Sequence, residues 1–475
     1  MKITNLITFF LLFLALTNCS GPTSKEGGST FLLIRNATII DGKGNEAVRN
    51  MDILIENNRI KKIGKAIDKP SEAVEIDATG LTVLPGLIDS HVHISSVPGS
   101  GFRNDSLPLY EDLQRHHLKA YIACGVTTIL DTAIPAEEAR KITEWLNDGH
   151  PGPRLLLLSP TFSTEKGYIS DQSLGKLFFT PVSTEQDVKD RLNESADLNP
   201  HGVKVLMESG FGLGRLAIHS DEIRQAIKNQ ANQRNLRIYI HSTQEKDHHL
   251  ALDMEPHALV HGTTVGSEEV IARLREKPVY MITTLSIQDA WTIAFNNERL
   301  SDPFYKATIP EIELQTAANP EAWQNLAISF AKMVMTESAT EEEITNFVQG
   351  GNPADALVAW INNLKKLHEA GIPIVMGSDA GNWPVMPHMF HGPTSIREVE
   401  LLTMAGLTSL EAIKASTSVP AKMLGIANDL GTVQEGKIAD LVIVRGDPLK
   451  DIKALRDIMW TIKDGVGKTP EQWMN

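Results

Sequence analysis

Leu84-Pro85-Gly86-Leu87-Ile88-Asp89-Ser90-His91-Val92-His93 is the stretch on which the reading of this chain turns. It begins on a Pro-Gly break, continues as an apolar run and ends in two histidines one residue apart. In an extended strand, residues i and i+2 point to the same side. His91 and His93 can therefore aim two imidazoles at one place. Two neutral imidazoles at that spacing form a metal chelate. Such a pair is common by chance, so its weight depends on what the rest of the chain sets beside it.

Working outward, eight segments read as short strands: Gly86–Ile94, Thr127–Thr132, Arg154–Pro160, Gly202–Met207, Arg237–Ser242, Ala258–Gly262, Val279–Leu285 and Ile372–Ser378. Helical patterns such as Ser220–Gln233 and Ser267–Glu276 lie between most of them. Repeated strand-then-helix units imply a parallel sheet, and eight of them predict an α/β fold closed as a (β/α)8 TIM barrel. An open doubly wound sheet is the competing arrangement. No glycine-rich dinucleotide fingerprint follows any of the strands, which weighs against a nucleotide-binding version. The barrel is expected over 85–424, with a helical insertion around 287–370 containing the pattern Trp323–Glu337. Loops of that length at a barrel mouth usually face the substrate.

Several of these strands end in residues that can hold a metal. Lys204 interrupts Val203-Lys204-Val205-Leu206-Met207, His241 ends Ile238-Tyr239-Ile240-His241, His261 follows Leu259-Val260, and Asp379 follows Val375-Met376-Gly377-Ser378. Barrel active sites are built at the C-terminal ends of strands. Burying such groups is costly unless they are paired or bind a cation. Together with His91 and His93, they make five strand ends carrying ligand-type residues. Other histidines carry less. His116 and His117 fall on an expected helix and read as structural. His248 and His249 sit in the charged run Glu245-Lys246-Asp247-His248-His249 and read as solvated. Tyr168, His388 and His391 lie in loops near the expected pocket and are candidates for substrate contact.

The opening stretch closely resembles the first motif of the amidohydrolase superfamily. Cys124-Gly125-Val126-Thr127-Thr128, Gly377-Ser378-Asp379-Ala380-Gly381 and Gly431-Thr432-Val433-Gln434-Glu435-Gly436-Lys437-Ile438-Ala439-Asp440-Leu441 extend the resemblance from about Phe31 to the C-terminus. Within the superfamily the chain looks like the imidazolonepropionase-related and prolidase-like branch. The resemblance implies a metal-dependent hydrolase of amide or other C–N bonds with two divalent ions, zinc the expected metal. His91 and His93 would hold the more buried ion and His241 and His261 the second. Asp379 would ligate the first ion and shuttle protons. Lys204 matches the position of a carboxylated lysine that bridges both. Chemistry agrees with that match: an ammonium has no lone pair, but burial lowers a lysine pKa and the neutral amine can take up carbon dioxide as a carbamate. A lysine paired with a carboxylate beside a single ion is the competing reading. The expected substrates are dipeptides, N-acyl amino acids or cyclic amides. A mononuclear deaminase or cyclic-amide hydrolase is one alternative, and a non-catalytic surface binding protein is another.

The chain has 475 residues, 42% apolar and 22% charged, which is a globular composition. Its net charge of -14 repels phosphate backbones, so a small-molecule substrate is expected and nucleic acid is not. Two cysteines, Cys19 and Cys124, cannot make a disulfide framework or a cysteine zinc site. Cys124 reads as a small buried hydrophobe. Residues 1–19 read as a signal peptide: Lys2, a short apolar run Leu6–Leu16, then Thr17-Asn18-Cys19. The run falls short of the roughly 20 residues needed to span a bilayer. Leu16-Thr17-Asn18-Cys19 resembles a bacterial lipobox, which implies cleavage before Cys19, a lipid on it and an exported, membrane-anchored protein. A plain signal peptide cut nearby is the alternative. Residues 20–30 read as a polar tether. Segments 31–84 and 425–475 are strand-rich, and the family resemblance implies that they pack together as a small β-sandwich beside the barrel. A homo-oligomer is left open.

Overall fold

In a computed structural model, residues 30–94, 110–168, 181–210, 216–294, 297–321, 353–382 and 388–475 are described, with shorter pieces of 324–348 and residue 386. The expected signal peptide with Cys19, nearly all of the tether and most of the pattern Trp323–Glu337 lie outside the described residues. Among those described, no helix is long and apolar enough to cross a membrane.

The strands in chain order are β1 (Phe31–Ile39), β2 (Val48–Glu56), β3 (Arg59–Gly64), β4 (Val74–Asp77), β5 (Leu81–Pro85), β6 (Leu87–Val92), β7 (Val126–Asp131), β8 (Arg154–Phe162), β9 (Gly202–Leu206), β10 (Arg237–His241), β11 (Ala258–Val260), β12 (Tyr280–Ile282), β13 (Ile374–Val375), β14 (Leu441–Arg445), β15 (Ile458–Lys463) and β16 (Val466–Lys468). They form two sheets. Strands β6 to β13 lie side by side in sequence order, and every neighbouring pair is parallel. The first and last close on each other: Asp379 N–H donates to His91 O at 2.8 Å, His93 N–H to Ala380 O at 2.9 Å and Ser90 N–H to Met376 O at 3.1 Å. This is the (β/α)8 barrel, and each of the eight expected segments supplies one of its strands.

The apolar runs form parallel strands because both of their faces are covered. Val203 and Val205 pack outward with the helices, while Tyr239, Ala258, Val260, Ile282 and Val375 fill the barrel interior. The first strand is less regular than its sequence suggests. Ile88 packs inside the barrel but Val92 belongs to the outer layer, and the pairing register slips between Asp89 and Val92. A slip of this kind turns the following side chains to the opposite face. It is what brings the odd-numbered His91 and His93 inward. The helices start where the sequence caps them: Ser220 accepts from Ile223 N–H and Ser267 from Val270 N–H.

The two chain ends meet in the second sheet, ordered β16-β15-β14-β5-β1-β2-β3, with β4 parallel to β1. Strand β5 runs antiparallel to β14, pairing Val83 with Ile443. Where a small β-sandwich was expected, the terminal strands form one hydrogen-bonded sheet, with Ile34, Ile53 and Ile443 in one apolar cluster and Leu33, Leu54 and Ile67 in another. Its hairpin turn at Asn57-Asn58 puts Asn57 at φ 57°, a left-handed conformation that asparagine tolerates. Strand β5 leads directly into β6, so this sheet is covalently continuous with the strand that carries the two histidines.

Candidate metal centre

The strand ends deliver their polar residues to one buried place. His91, His93, Lys204, His241, His261 and Asp379 are each less than a tenth exposed. His91 Nε2 and His93 Nε2 lie 3.0 and 2.9 Å from Asp379 Oδ1. That oxygen nevertheless has no hydrogen-bond partner, and the remaining ring nitrogens of both histidines, both Nδ1, are unpartnered as well. The rings of His91 and His261 are 5.1 Å apart and those of His241 and His261 are 4.6 Å apart. Ligand atoms of His91, His261 and Asp379 lie within 4.8 Å of one another. Buried polar atoms normally have partners. A carboxylate oxygen wedged between two imidazole nitrogens, with no hydrogen bond made, is an arrangement that a shared cation satisfies. The donor set of imidazoles and carboxylate also suits a borderline divalent ion.

Electrostatics point the same way. Burial, helped by the nearby Lys204 charge, holds His91 well below the usual imidazole range. Burial, then His241, does the same to His261. Both rings are therefore neutral and carry a lone pair at pH 7. Burial raises the Asp379 carboxyl, but His91 and its neighbours outweigh it and keep the group ionised. Lys204 is fully enclosed, and burial brings its amine down to about 7 against the pull of Asp379 and Asp131. Burial is the larger of these influences, and it disfavours the charged form.

Several supports of this site were not legible beforehand. Asp89 is buried and accepts from Ser378 N–H at 3.0 Å and from the Ser395 hydroxyl at 2.6 Å, tying β6 to the end of β13. Glu398 is buried and accepts three backbone N–H groups, from Thr284, Leu285 and Ser286, at 3.0, 3.0 and 2.7 Å. Thr284 sits at φ 110°, an outlier for a β-branched residue, and its Oγ1 lies 2.9 Å from His261 Nδ1. Glu398 thus fixes a strained residue that in turn orients His261, itself at φ 61°. The interaction leaves Nε2 of His261 free to face a metal.

The candidate substrate contacts divide. Tyr168 stacks on His241, with ring centroids 4.9 Å apart and planes 20° apart, which places it against the centre. His388 is buried with both ring nitrogens unpartnered. His391 is also buried; its Nδ1 meets the Tyr121 hydroxyl at 2.9 Å and its ring lies 4.0 Å from that of His117. His117 is a structural residue, bonded to Glu313, and His116 Nε2 lies 2.9 Å from Thr308 O. The expectation that His248 is solvated is corrected. It is fully buried, with Nδ1 3.0 Å from Gln244 O and 3.2 Å from the Ser242 hydroxyl. The charged run is a short helix, Glu245–Asp253, docked by Asp247, His248, Ala251 and Leu252. His249 is partly exposed and contacts Arg273. Cys124 is buried, as expected, and burial pushes its thiol up to about 12.

One glycine next to the centre is irreplaceable on steric grounds. A Cβ on Gly377 would stand 2.6 Å from Ile282 Cγ2 and 2.7 Å from His91 Cβ. Gly377→Ala is expected to cost about 1–3 kcal/mol by overpacking and to displace His91. A lower melting temperature together with weaker metal uptake checks this; unchanged metal affinity would contradict the displacement.

The sequence matches the model of the Amidohydrolase family over residues 82–466. This chain belongs to the amidohydrolase family. Among its relatives is the 5-methylthioadenosine/S-adenosylhomocysteine deaminase of Pyrococcus furiosus, 24% identical over 440 residues, covering 87% of this chain and 86% of that one. A dihydroorotase of Geobacter metallireducens is 35% identical over 118 residues, only 24% of this chain and 25% of that one. Similar folds include a Xaa-Pro dipeptidase with bound methionine (TM-score 0.70, 22% identity, 92% of this chain and all of that one). Another is the A. niger ochratoxinase (TM-score 0.70, 17% identity, 94% of this chain and 97% of that one). As an amidohydrolase, the chain is a metal-dependent hydrolase acting on C–N bonds.

Proposed function

We propose that this amidohydrolase cleaves an amide-type C–N bond in a dipeptide-like, N-acyl amino acid or cyclic amide substrate, using two divalent ions, zinc the foremost candidate. The observation that carries the two-ion reading is Lys204. A fully buried amine that burial brings down to about 7, against the pull of Asp379 and Asp131, is in large part neutral at pH 7, and the neutral form is a nucleophile for carbon dioxide. As a carbamate it would carry one negative charge shared by two oxygens and so could serve as a ligand to both ions. His91, His93 and Asp379 would hold one ion; His241 and His261 would hold the other. Bound there, the ions would supply a water acidic enough to attack at neutral pH and would polarise the scissile carbonyl.

The protein's own groups do the remaining work. The Asp379 carboxylate accepts the proton of the attacking water and returns it to the leaving nitrogen, so no amide anion has to be expelled. The burial of these residues strengthens each of these electrostatic effects. Tyr168, stacked on His241, and His388, with both ring nitrogens free of partners, are the proposed substrate contacts; for His391, the contacts to Tyr121 and His117 favour a supporting part. The fold likeness to a Xaa-Pro dipeptidase supports a dipeptide-like substrate. A mononuclear deaminase or cyclic-amide enzyme is the second reading, supported by the deaminase relative and by the tight grouping of His91, His261 and Asp379. The lipobox-like end at Cys19 supports an exported, lipid-anchored enzyme working on small molecules at a bacterial membrane surface.

Chelator-stripped protein is expected to lose turnover and to melt lower, and zinc is expected to restore both. Metal at one hundred times its Kd stabilises a site by about 2.7 kcal/mol. The test is metal analysis together with a screen of dipeptides, N-acyl amino acids, lactones and hydantoin-like rings. Two ions per chain support the proposal. One ion with unmodified Lys204 supports the second reading, and turnover that survives stripping overturns both.

A further inference from the structure

We infer that Glu208 is a positioning residue for the second metal: its carboxylate takes the Nε2–H of His241 and so leaves Nδ1 as the ring atom that binds the ion. This rests on the reading of His241 as a metal ligand. Glu208 lies just beyond β9, the strand of Lys204, and its side chain is entirely buried. Its Oε2 is 3.6 Å from His241 Nε2. That nitrogen has no hydrogen-bond partner, so the carboxylate is the acceptor in place for it.

Glu208 is held where it stands. Gly210 N–H donates to Oε1 at 2.7 Å, and the Thr243 hydroxyl donates to Oε2. The backbone on either side is pinned as well. Met207 N–H donates to His241 O at 2.9 Å. Ser209 donates twice to Asp247 Oδ2, from N–H at 2.9 Å and from its hydroxyl at 2.7 Å. On the other side, Tyr168 stacks on the His241 ring and fixes its plane. A neutral imidazole has one N–H and one lone pair, so committing Nε2–H to an anion leaves the lone pair on Nδ1. A carboxylate in that position also raises the basicity of the ligand, and losing such a partner typically lowers metal affinity by about 10–100-fold. Thr284 serves His261 in the corresponding way through Nδ1, leaving Nε2 for the metal. The two ligands of the second ion are therefore oriented through opposite ring nitrogens, one by an anion and one by a hydroxyl.

The test uses the full chain, stripped and titrated with zinc, as wild type and as Glu208→Gln and Glu208→Ala. The expected result is that one zinc equivalent weakens about tenfold or more in Glu208→Ala. The other equivalent should stay unchanged, with a smaller loss in Glu208→Gln. A loss shared equally by both equivalents, or no loss in either variant, overturns the inference and marks Glu208 as a packing residue. Nitrogen-15 spectra of histidine-labelled protein give a second readout, with the His241 signals identified by their absence from His241→Asn. A Nε2-protonated ring is expected in wild type, and a Nδ1-protonated ring overturns the inference. Should wild type bind a single zinc, the two-ion reading fails by itself, and the tautomer still decides the part played by Glu208.

Discussion

Asp379→Asn is expected to lower kcat by about 10²–10⁴-fold while metal stays in the site. The reason lies in how little this substitution disturbs. Asp379 sits at φ 56°, a left-handed backbone that asparagine adopts readily. Its backbone N–H, bonded to His91 O, and its carbonyl, which accepts from the Asn382 amide at 2.8 Å, are both retained. An amide oxygen still faces His91 and His93, so a weakened ligand remains. What is lost is a group that can take a proton from water and give it to a departing nitrogen. Kinetics and metal analysis on the same preparation separate the two effects. Full activity would remove Asp379 from the proton path, and complete loss of metal would show that the residue acts chiefly as a ligand.

Lys204→Ala is expected to be at least as damaging, and for a different reason. Val203 and Val205 pack against the outer layer, so the strand keeps its helix-facing contacts when the inward lysine is shortened. The metals would lose their common bridge. Affinity should fall by more than the roughly 10–100-fold that follows from losing an outer partner, and turnover should fall with it. A small carboxylic acid such as propionate fits the vacated space and offers the same two oxygens, so it should restore part of the activity. Lys204→Met refills the space without oxygens and should not be rescued. Carbon-13 bicarbonate gives a direct check through a carbamate resonance in wild type. Its absence from metal-loaded, active protein would end the carbamate proposal without touching the family assignment.

The barrel and the convergence of the strand-end polar residues were legible in the sequence for a physical reason. A strand buried on both faces must be apolar along its length, so one lysine, histidine or aspartate at its end stands out against Val203-Lys204-Val205 or Ile238-Tyr239-Ile240-His241. The supports of the site carry no such contrast. Asp89 is explained by Ser395, Glu398 by the N–H groups of 284–286, and His391 by Tyr121, partners that meet only when the barrel closes. The register slip that turns His91 and His93 inward is equally invisible, because simple alternation also places both on one face. The burial of His248 is masked in the sequence by the three charged residues that precede it. The signal that reveals it was present in the spacing of Asp247, His248, Ala251 and Leu252, one face of a helix.

The junction of β5 with β14 sets the order in which this protein can become whole. During synthesis the chain makes β5 and the histidine strand well before β14, the strand that covers the open edge of β5. Until then β5 shows unpaired backbone groups to its surroundings, the condition under which nascent chains stick to one another. The sheet closes on β5 only once β14 has been made. A version truncated before Leu441 should therefore be recovered as aggregate, however complete its barrel, because the tail is what shields the head.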